Sequence, residues 1–249
     1  MEEINSHICR NCGTEFRGNF CSRCGQRSGI HKVTFKETFQ DLANNLFSIN
    51  APLLITIRDM FLRPGVLLRS YLDGKRRTYY RPVSFFILMT VLYIVIRSVI
   101  GFDPFRNSMI VVEEGGPDPT LLTEARNYML MNINNFLFVF VFTLALFLKL
   151  FFYKRYSLAE YIAISFYLLG IYTLIVTCNM FVVQAFGDQL QPLGSMIMCL
   201  FFVYAMVSFF QRKYFLVIVK SFILFILAFI TYAMSSFAIS FLIVYIKQG

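Results

Sequence analysis

Four cysteines near the N-terminus are the residues of this chain best suited to chemistry. They form two Cys-x-x-Cys-Gly knuckles, Cys9/Cys12 and Cys21/Cys24, with eight residues between the pairs. Two such knuckles can hold one Zn²⁺ tetrahedrally, with zinc–sulfur distances of about 2.3 Å. Because the protein supplies all four ligands, the site is closed, and we predict a structural zinc site rather than a hydrolytic one. An unmetallated redox pair is the alternative, but its thioredoxin-like context is missing.

The segments around the cysteines must hold them in place. Residues 1–30 are too few to bury a core, so we predict a zinc ribbon stabilised by its metal, with His7 and His31 as surface residues flanking it. Residues 31–82 are predicted to form short amphipathic helices, over 34–49, 52–62 and from Pro64 to Gly74. We expect these helices to lie on a membrane surface or to pack under a bundle; a small soluble helical domain is the alternative.

A basic collar, defined here as residues 74–82, directly precedes the first long apolar run. The segment before Pro82 holds 13 of the 23 lysines and arginines and only seven acids. A cationic segment of this kind beside a membrane typically binds anionic headgroups, and tyrosines lie at headgroup depth. Nucleic acid is not expected as a partner. The predicted lipid-binding residues are Lys75, Arg76, Arg77 and Arg81.

The composition indicates an integral membrane protein. The chain is 57% hydrophobic, with a mean hydropathy of +0.63, and only 15% charged, against about 25% in soluble proteins. We predict an all-α bundle over residues 83–249. Its five spans lie near 83–100, 136–153, 158–186, 193–210 and 215–246. As a helix the last stretch measures about 48 Å against a hydrocarbon core of about 30 Å, so it must tilt, kink or protrude; six spans are the alternative.

Lysine and arginine in the short loops predict the orientation. The segment before the first span is basic, whereas the loop over 102–129 has two arginines and five acids, and is expected to be mobile. We therefore predict a cytoplasmic N-terminus and an outer C-terminus, with Lys247 as a mild exception. The first 30 residues show no apolar run, so the first span is expected to be a retained anchor.

Ionisable and polar residues within spans are candidate functional groups. They are Arg97, Glu160, Asn179 and Lys220. Arg97 is expected to reach the outer interface, and Glu160 to lie at the inner surface, where it is solvated or pairs with Arg155 or Lys220. Asn179 is expected to bond between helices. No catalytic residue is predicted, because the sequence shows no nucleophile elbow, P-loop, Rossmann fingerprint or zincin motif.

The order of these features resembles a bacterial family of membrane proteins of unknown function with a zinc ribbon before its helices. The resemblance covers residues 9–100. It depends on the four cysteines with Gly25-Gln26, followed by Pro64-Gly65, Tyr71, Gly74-Lys75-Arg76, Tyr80, Pro82 and Phe85-Phe86. It implies a bacterial inner membrane and a zinc ligand set, and it carries no activity.

Three functions remain open from the sequence. The first is a membrane scaffold or adaptor whose ribbon docks a cytoplasmic protein while the collar binds anionic lipid. The second is a transporter or lipid-handling protein with a groove lined by polar residues of the third span. The third, an enzyme acting on lipid-linked substrates with Glu160 or Asp59 as base, has the least support because no paired acid–base set is visible. Association into a homo-oligomer is also left open.

Overall fold

The computed structural model describes residues 6–28, 51–102, 121–211 and 214–248. Within these ranges the chain forms one two-stranded antiparallel sheet and eight α-helices. The predicted helix over 34–49 and the surface residue His31 lie outside the described residues. The elements are β1 Ser6–Ile8, β2 Glu15–Arg17, α1 Ala51–Leu62, α2 Pro64–Leu72, α3 Pro82–Ile100, α4 Leu121–Met131, α5 Ile133–Phe151, α6 Leu158–Phe186, α7 Leu193–Phe210 and α8 Tyr214–Gln248.

The predicted all-α membrane architecture is confirmed. In the described ranges, five helices are long and apolar enough to cross a bilayer, and they contain α3, α5, α6, α7 and α8. Their outward faces carry large exposed hydrophobic side chains, such as Leu150, Leu200 and Phe215, which are 60%, 73% and 76% exposed. Exposing such faces to water costs free energy, whereas exposing them to the hydrocarbon of a bilayer does not.

The two ends of the bundle differ in what covers them. From α5 to α8, successive spans run in opposite directions through short connections. The start of α3 lies beside the first half of α6, where Tyr80 bonds to Tyr167, so α3, α6 and α8 start at the end where α5 and α7 finish. Helix α2 packs at this end, because Arg69 donates to the carbonyl oxygens of Ser208 and Phe209 at distances of 2.5 and 2.7 Å. We call it the ribbon end and the opposite one the far end.

Helix α6 is the central helix of the bundle. Two-thirds of its most apolar stretch is buried inside the bundle, which is the largest share among the five spans found in the described ranges. Most of its first half is covered on every side by α3, α5 and α7, which explains why side chains as large as Tyr161 and Tyr167 are fully buried there. A helix that is apolar all round is the expected sequence for such a position.

The long last span is one continuous helix of 35 residues, so the six-span alternative is not supported. Its length is about 52 Å, well beyond the hydrocarbon core. The extra length extends at the far end, where α4 packs beside it. Within α8 the buried hydroxyl of Ser240 donates to the Ser236 carbonyl at 2.8 Å, so the serines do not break the helix.

Part of the loop predicted over 102–129 is helical, which corrects that prediction. Residues 121–131 form α4, whose Ala125 is fully buried and which packs extensively along α8. The chain then bends at Asn132, whose side-chain amide donates to the Tyr128 carbonyl at 2.9 Å. The helix follows the Gly- and Pro-rich stretch, and contact with α8 stabilises it. Residues 103–120 lie outside the described residues.

A buried carboxylate joins the short helices to the collar. Asp59 in α1 is 1% exposed and forms ion pairs with Arg58 at 2.8 Å and Arg63 at 3.2 Å. It also accepts a hydrogen bond from the Tyr79 hydroxyl at 3.3 Å. Burial raises the pKa of Asp59, but the hydrogen bonds and charges of Arg63 and Arg58 outweigh this and leave the pKa below its ordinary value of 3.8.

We expect Asp59→Asn to lower stability by about 1–2 kcal/mol at neutral pH, because charged hydrogen bonds are lost while both arginines stay half exposed. A carboxyl group with a lowered folded-state pKa stabilises the fold above its unfolded pKa. That stabilisation is lost as the pH falls through the folded pKa. The difference in unfolding temperature between wild type and Asp59→Asn should therefore be present at neutral pH and disappear as the pH is lowered to about 2. Asp73→Asn, at an exposed position, is the control. An equal gap at both pH values would contradict this role for Asp59.

Candidate metal centre

The ribbon consists of two turns with matching backbone geometry. In each one, the glycine after the second cysteine has a positive φ, +73° at Gly13 and +69° at Gly25. Each glycine N–H donates at 2.8 Å to the carbonyl of the first cysteine, Cys9 or Cys21. A residue with a Cβ atom is strained in this backbone region, which is why the knuckle carries glycine. The following N–H groups, of Thr14 and Gln26, bond to Cys12 and Cys24, as second-shell donors to metal-bound sulfur do.

The four sulfur atoms form one compact cluster. The Sγ atoms all lie within 4.8 Å of one another, with Cys9–Cys24 at 3.5 Å and Cys12–Cys21 at 3.6 Å. A tetrahedral zinc–thiolate site has sulfur–sulfur distances of about 3.8 Å, so the cluster has the right size for one metal ion. All four thiols are free of disulfides, and Cys9 and Cys21 are buried. The arrangement can hold a metal ion.

The electrostatics of the cluster favour a bound cation. Hydrogen bonding to the Thr14 side chain and backbone lowers the pKa of Cys12 to about 6. By contrast, burial and the neighbouring thiols raise the pKa of Cys24 to about 11. The thiols therefore do not all ionise near neutral pH without a compensating positive charge. Metal binding must displace protons from the cluster, so metal affinity should fall as the pH falls.

The ribbon is held against the collar by two polar contacts. Gln26 is 5% exposed, and its amide donates to the Gly74 carbonyl at 3.0 Å. The hydroxyl of Thr78 donates to the side-chain oxygen of Asn11. The metal centre is therefore positioned by the chain just before the first span. Sequence reasoning did not identify this contact, although Gln26 belongs to the motif behind the resemblance.

The four predicted lipid-binding cations differ in exposure. Lys75 and Arg77 are exposed, whereas Arg76 and Arg81 are half-buried and interact within the chain. The collar tyrosines also differ from the expectation of headgroup contact: Tyr79 and Tyr80 are each 7% exposed. The Tyr79 hydroxyl and the Tyr80 backbone have partners inside the chain, whereas the Tyr80 hydroxyl is buried without a hydrogen-bond partner among the described residues. The Tyr79 hydroxyl bonds to Asp59, and the Tyr80 backbone bonds to the hydroxyl groups of Thr56 and Tyr167.

The structure does not bring the polar candidates of the spans together. Glu160 and Lys220 lie at the ribbon end; Arg97 and Asn179 lie at the far end. Lys220 is exposed on α8. Arg97 is in the last turn of α3 and donates to the Phe102 carbonyl at 3.1 Å. The side-chain amide of Asn179 donates to carbonyls in the turn before α7.

Glu160 has a local structural contact. Its carboxylate accepts a hydrogen bond from the Ser157 N–H at 2.7 Å, and the Ser157 hydroxyl accepts one from the Glu160 N–H at 3.2 Å. This is a capping box at the start of α6. The Ser-x-x-Glu spacing at residues 157–160 is a sequence signal that could have identified it. His7 is exposed and lies beside the Phe16 ring at 6.0 Å, as predicted for a surface residue.

A family described as a protein of unknown function (DUF3667) matches residues 52–94. The match spans α1, α2, the collar and most of α3, which is less than a fifth of the chain. It agrees with the resemblance to a family without assigned activity and does not include the ribbon. No curated protein and no solved structure matches this chain.

Proposed function

We propose that this protein is an adaptor of a bacterial inner membrane. Its ribbon binds zinc, faces the cytoplasm and docks an acidic protein partner, while the collar binds anionic lipid. The observation that carries this proposal is the attachment of a closed thiolate cluster to the chain before the first span, through Gln26 and Thr78. A closed tetrathiolate site supplies folding energy and shape rather than an open coordination position.

The exposed surface of the ribbon supports a protein partner. Ile8 and Phe20 are 75% and 62% exposed, which is unusual for large apolar side chains in so small a unit. Around them the described part of the ribbon presents four exposed arginines and one exposed glutamate. These are Arg10, Arg17, Arg23, Arg27 and Glu15. An apolar centre with a basic rim fits an interface whose partner has an acidic rim.

The charge at the ribbon end supports the lipid contact and the cytoplasmic orientation. Lys75 and Arg77 are exposed on the collar, and Lys154 and Lys220 are exposed on neighbouring elements of the same end. Cytoplasmic ends of membrane proteins carry this excess of cations. In a clustered basic segment such as the collar, each cation contributes about 1 kcal/mol to the binding of anionic lipid.

The two alternative functions, an enzyme for lipid-linked substrates and a transporter or lipid-handling protein, differ in their support. As a base for a lipid-linked substrate, Asp59 or Glu160 would have to leave the hydrogen bonds described above, and both carboxylates are buried. A lipid-handling function is favoured by one observation, a cavity beside the polar residues of α6.

Site-specific photo-crosslinking in native membranes tests the adaptor proposal. With a benzoylphenylalanine in place of Phe20, we expect one cytoplasmic protein, identified by mass spectrometry, to be captured. Arg10→Glu with Arg23→Glu, or Cys9→Ser with Cys12→Ser, should abolish capture, and Cys178→Ser should not. The same residue at Phe186, which is 78% exposed at the far end, is the positional control. Absence of a captured protein, or capture that all variants retain, would overturn the proposal.

The lipid contact is measured in the same membranes after extraction with a polymer. Lys75→Ala with Arg77→Ala removes two cations worth about 1 kcal/mol each, so the affinity for anionic phospholipid should fall by about thirtyfold and less of this lipid should be retained per chain. Lys154→Ala with Lys220→Ala removes two exposed cations outside the collar and should have a smaller effect. An equal effect of both pairs would assign lipid binding to net charge rather than to the collar.

A further inference from the structure

We propose that a cavity at the far end binds a neutral amphiphile with an apolar body and one hydroxyl group. This inference deepens the lipid-handling alternative and is independent of the adaptor function. The cavity measures about 330 Å³, which lies at the lower limit of typical small-molecule sites. It is lined by residues of α3, α5, α6, α7 and α8, by the turn before α7 and by Phe102, which follows α3.

Asn179 provides the polar group of this site. Its side chain is 8% exposed and lines the cavity. The amide nitrogen donates to the carbonyls of Leu190 and Gln191 at 3.4 and 3.2 Å, and these two contacts fix the orientation of the amide. Among the residues that the structure describes, the buried amide oxygen has no hydrogen-bond partner. An unsatisfied buried acceptor is costly, so the site favours a ligand that donates a hydrogen bond.

The walls of the cavity exclude a charged ligand. Every described residue that lines it is neutral, and most of the lining surface is apolar, with side chains such as Leu137, Phe140, Val176 and Met180. A carboxylate or an ammonium group would lose its hydration there without gaining a counter-charge. Hydroxyl-bearing residues such as Tyr93, Thr173 and Tyr232 also line the cavity. The chemistry therefore selects a neutral molecule whose hydroxyl lies beside Asn179 and whose chain follows the apolar wall.

Water alone is a poor occupant of this space. The volume corresponds to about ten water molecules at roughly 30 Å³ each, and each buried water needs two to four polar partners. Because most of the lining surface is apolar, the polar side chains of the lining do not supply partners for so many waters. The cavity begins near Asn134 and Gln191, at the first residues of α5 and just before α7, so it lies at the membrane surface of the far end. A lipid alcohol can reach it from the bilayer.

Photolabelling of the full chain in nanodiscs tests this inference. The probe is hexadecanol with a diazirine in its chain; its matched analogues are the methyl ether, which lacks the donor, and hexadecanoate, which is charged. We expect the alcohol to label peptides that contain the lining residues, and both analogues to label them about tenfold less. Equal labelling by the alcohol and either analogue would overturn the inference, as would labelling confined to residues outside the cavity.

Variants locate the effect within the site. Asn179→Leu should reduce labelling by the alcohol to the level of the ether, because the acceptor is gone. Val176→Phe fills the cavity and should reduce labelling by all probes, whereas Leu146→Phe, on the exposed face of α5, should not. If Asn179→Leu does not fold, Val176→Phe and the comparison of probes on the wild type decide the question. Unchanged labelling in Val176→Phe contradicts the site. Capture at Phe20 does not depend on any of these results.

Discussion

Replacing Cys9 and Cys12 together by serine is expected to remove the metal and unfold the ribbon, while the spans remain folded. The two remaining thiols, Cys21 and Cys24, cannot complete a tetrahedral site. Structural zinc contributes on the order of 10–16 kcal/mol in small domains, far more than the few buried side chains of this ribbon supply. Elemental analysis of the purified chain should fall from about one zinc per chain to less than a tenth of that value.

The chain contains its own control for this experiment. Cys178 and Cys199 lie in α6 and α7, away from the cluster, and Cys178→Ser with Cys199→Ser should keep the full metal content. Hydrogen exchange over residues 6–28 should rise to the level of an unfolded chain only in the Cys9/Cys12 variant. The unfolding temperature of the bundle should change little, because the contacts of Asp59 and Arg69 do not involve the ribbon. A double variant that retains metal, or a metal-free ribbon that stays protected, would refute the cluster as a metal centre.

Gly65→Ala is expected to destabilise the ribbon end by about 3 kcal/mol or more, at the upper end of the usual cost of overpacking. A Cβ atom at this position would lie 2.5 Å from the backbone nitrogen of Phe209 and closer still to the Ser208 carbonyl. Both are backbone atoms of α7, so α2 must move away. That movement breaks the bonds of Arg69 to the last carbonyls of α7 and of the Gly65 N–H to the Ser208 hydroxyl.

Two other glycines provide a graded comparison. In Gly170→Ala the new methyl meets ring atoms of Phe85 at 2.6 Å, and in Gly194→Ala it meets the amide nitrogen of Asn179 at 3.3 Å. A ring can rotate, and a contact of 3.3 Å needs only a small shift. Thermal unfolding in detergent should therefore show the largest loss of stability for Gly65→Ala, a smaller loss for Gly170→Ala and the smallest for Gly194→Ala. A Gly65→Ala protein as stable as the wild type would show that α2 is not closely packed on α7.

Hydropathy and local spacing were sufficient for two parts of the structure. The spans follow from long apolar runs, because a bilayer selects for length and composition; the third, predicted over 158–186, has the bounds of α6. The thiolate cluster follows from the spacing of the knuckles, which are local. In both cases the feature depends on residues within one continuous segment, so the sequence of that segment is enough to predict it.

Contacts between distant segments could not be read in this way. Gln26 and Gly74 are 48 residues apart, and Gly65 and Ser208 are 143 apart, so neither pair leaves a pattern in a single sequence. Helix α4 was missed because it directly follows the Gly- and Pro-rich stretch and because it packs on α8, which is distant in the sequence. Glu160 was interpreted as an ionisable group in a span, although its position three residues after Ser157 indicated a helix cap.

The attachment of the ribbon to Gly74 and Thr78 couples the ribbon mechanically to the helical bundle. Only three residues separate Thr78 from Pro82, where α3 begins, and the Tyr80 carbonyl in between is bonded to Tyr167 on the central helix. A force applied to the ribbon is therefore transmitted to α3 and α6 through only a few residues, without a flexible linker between them.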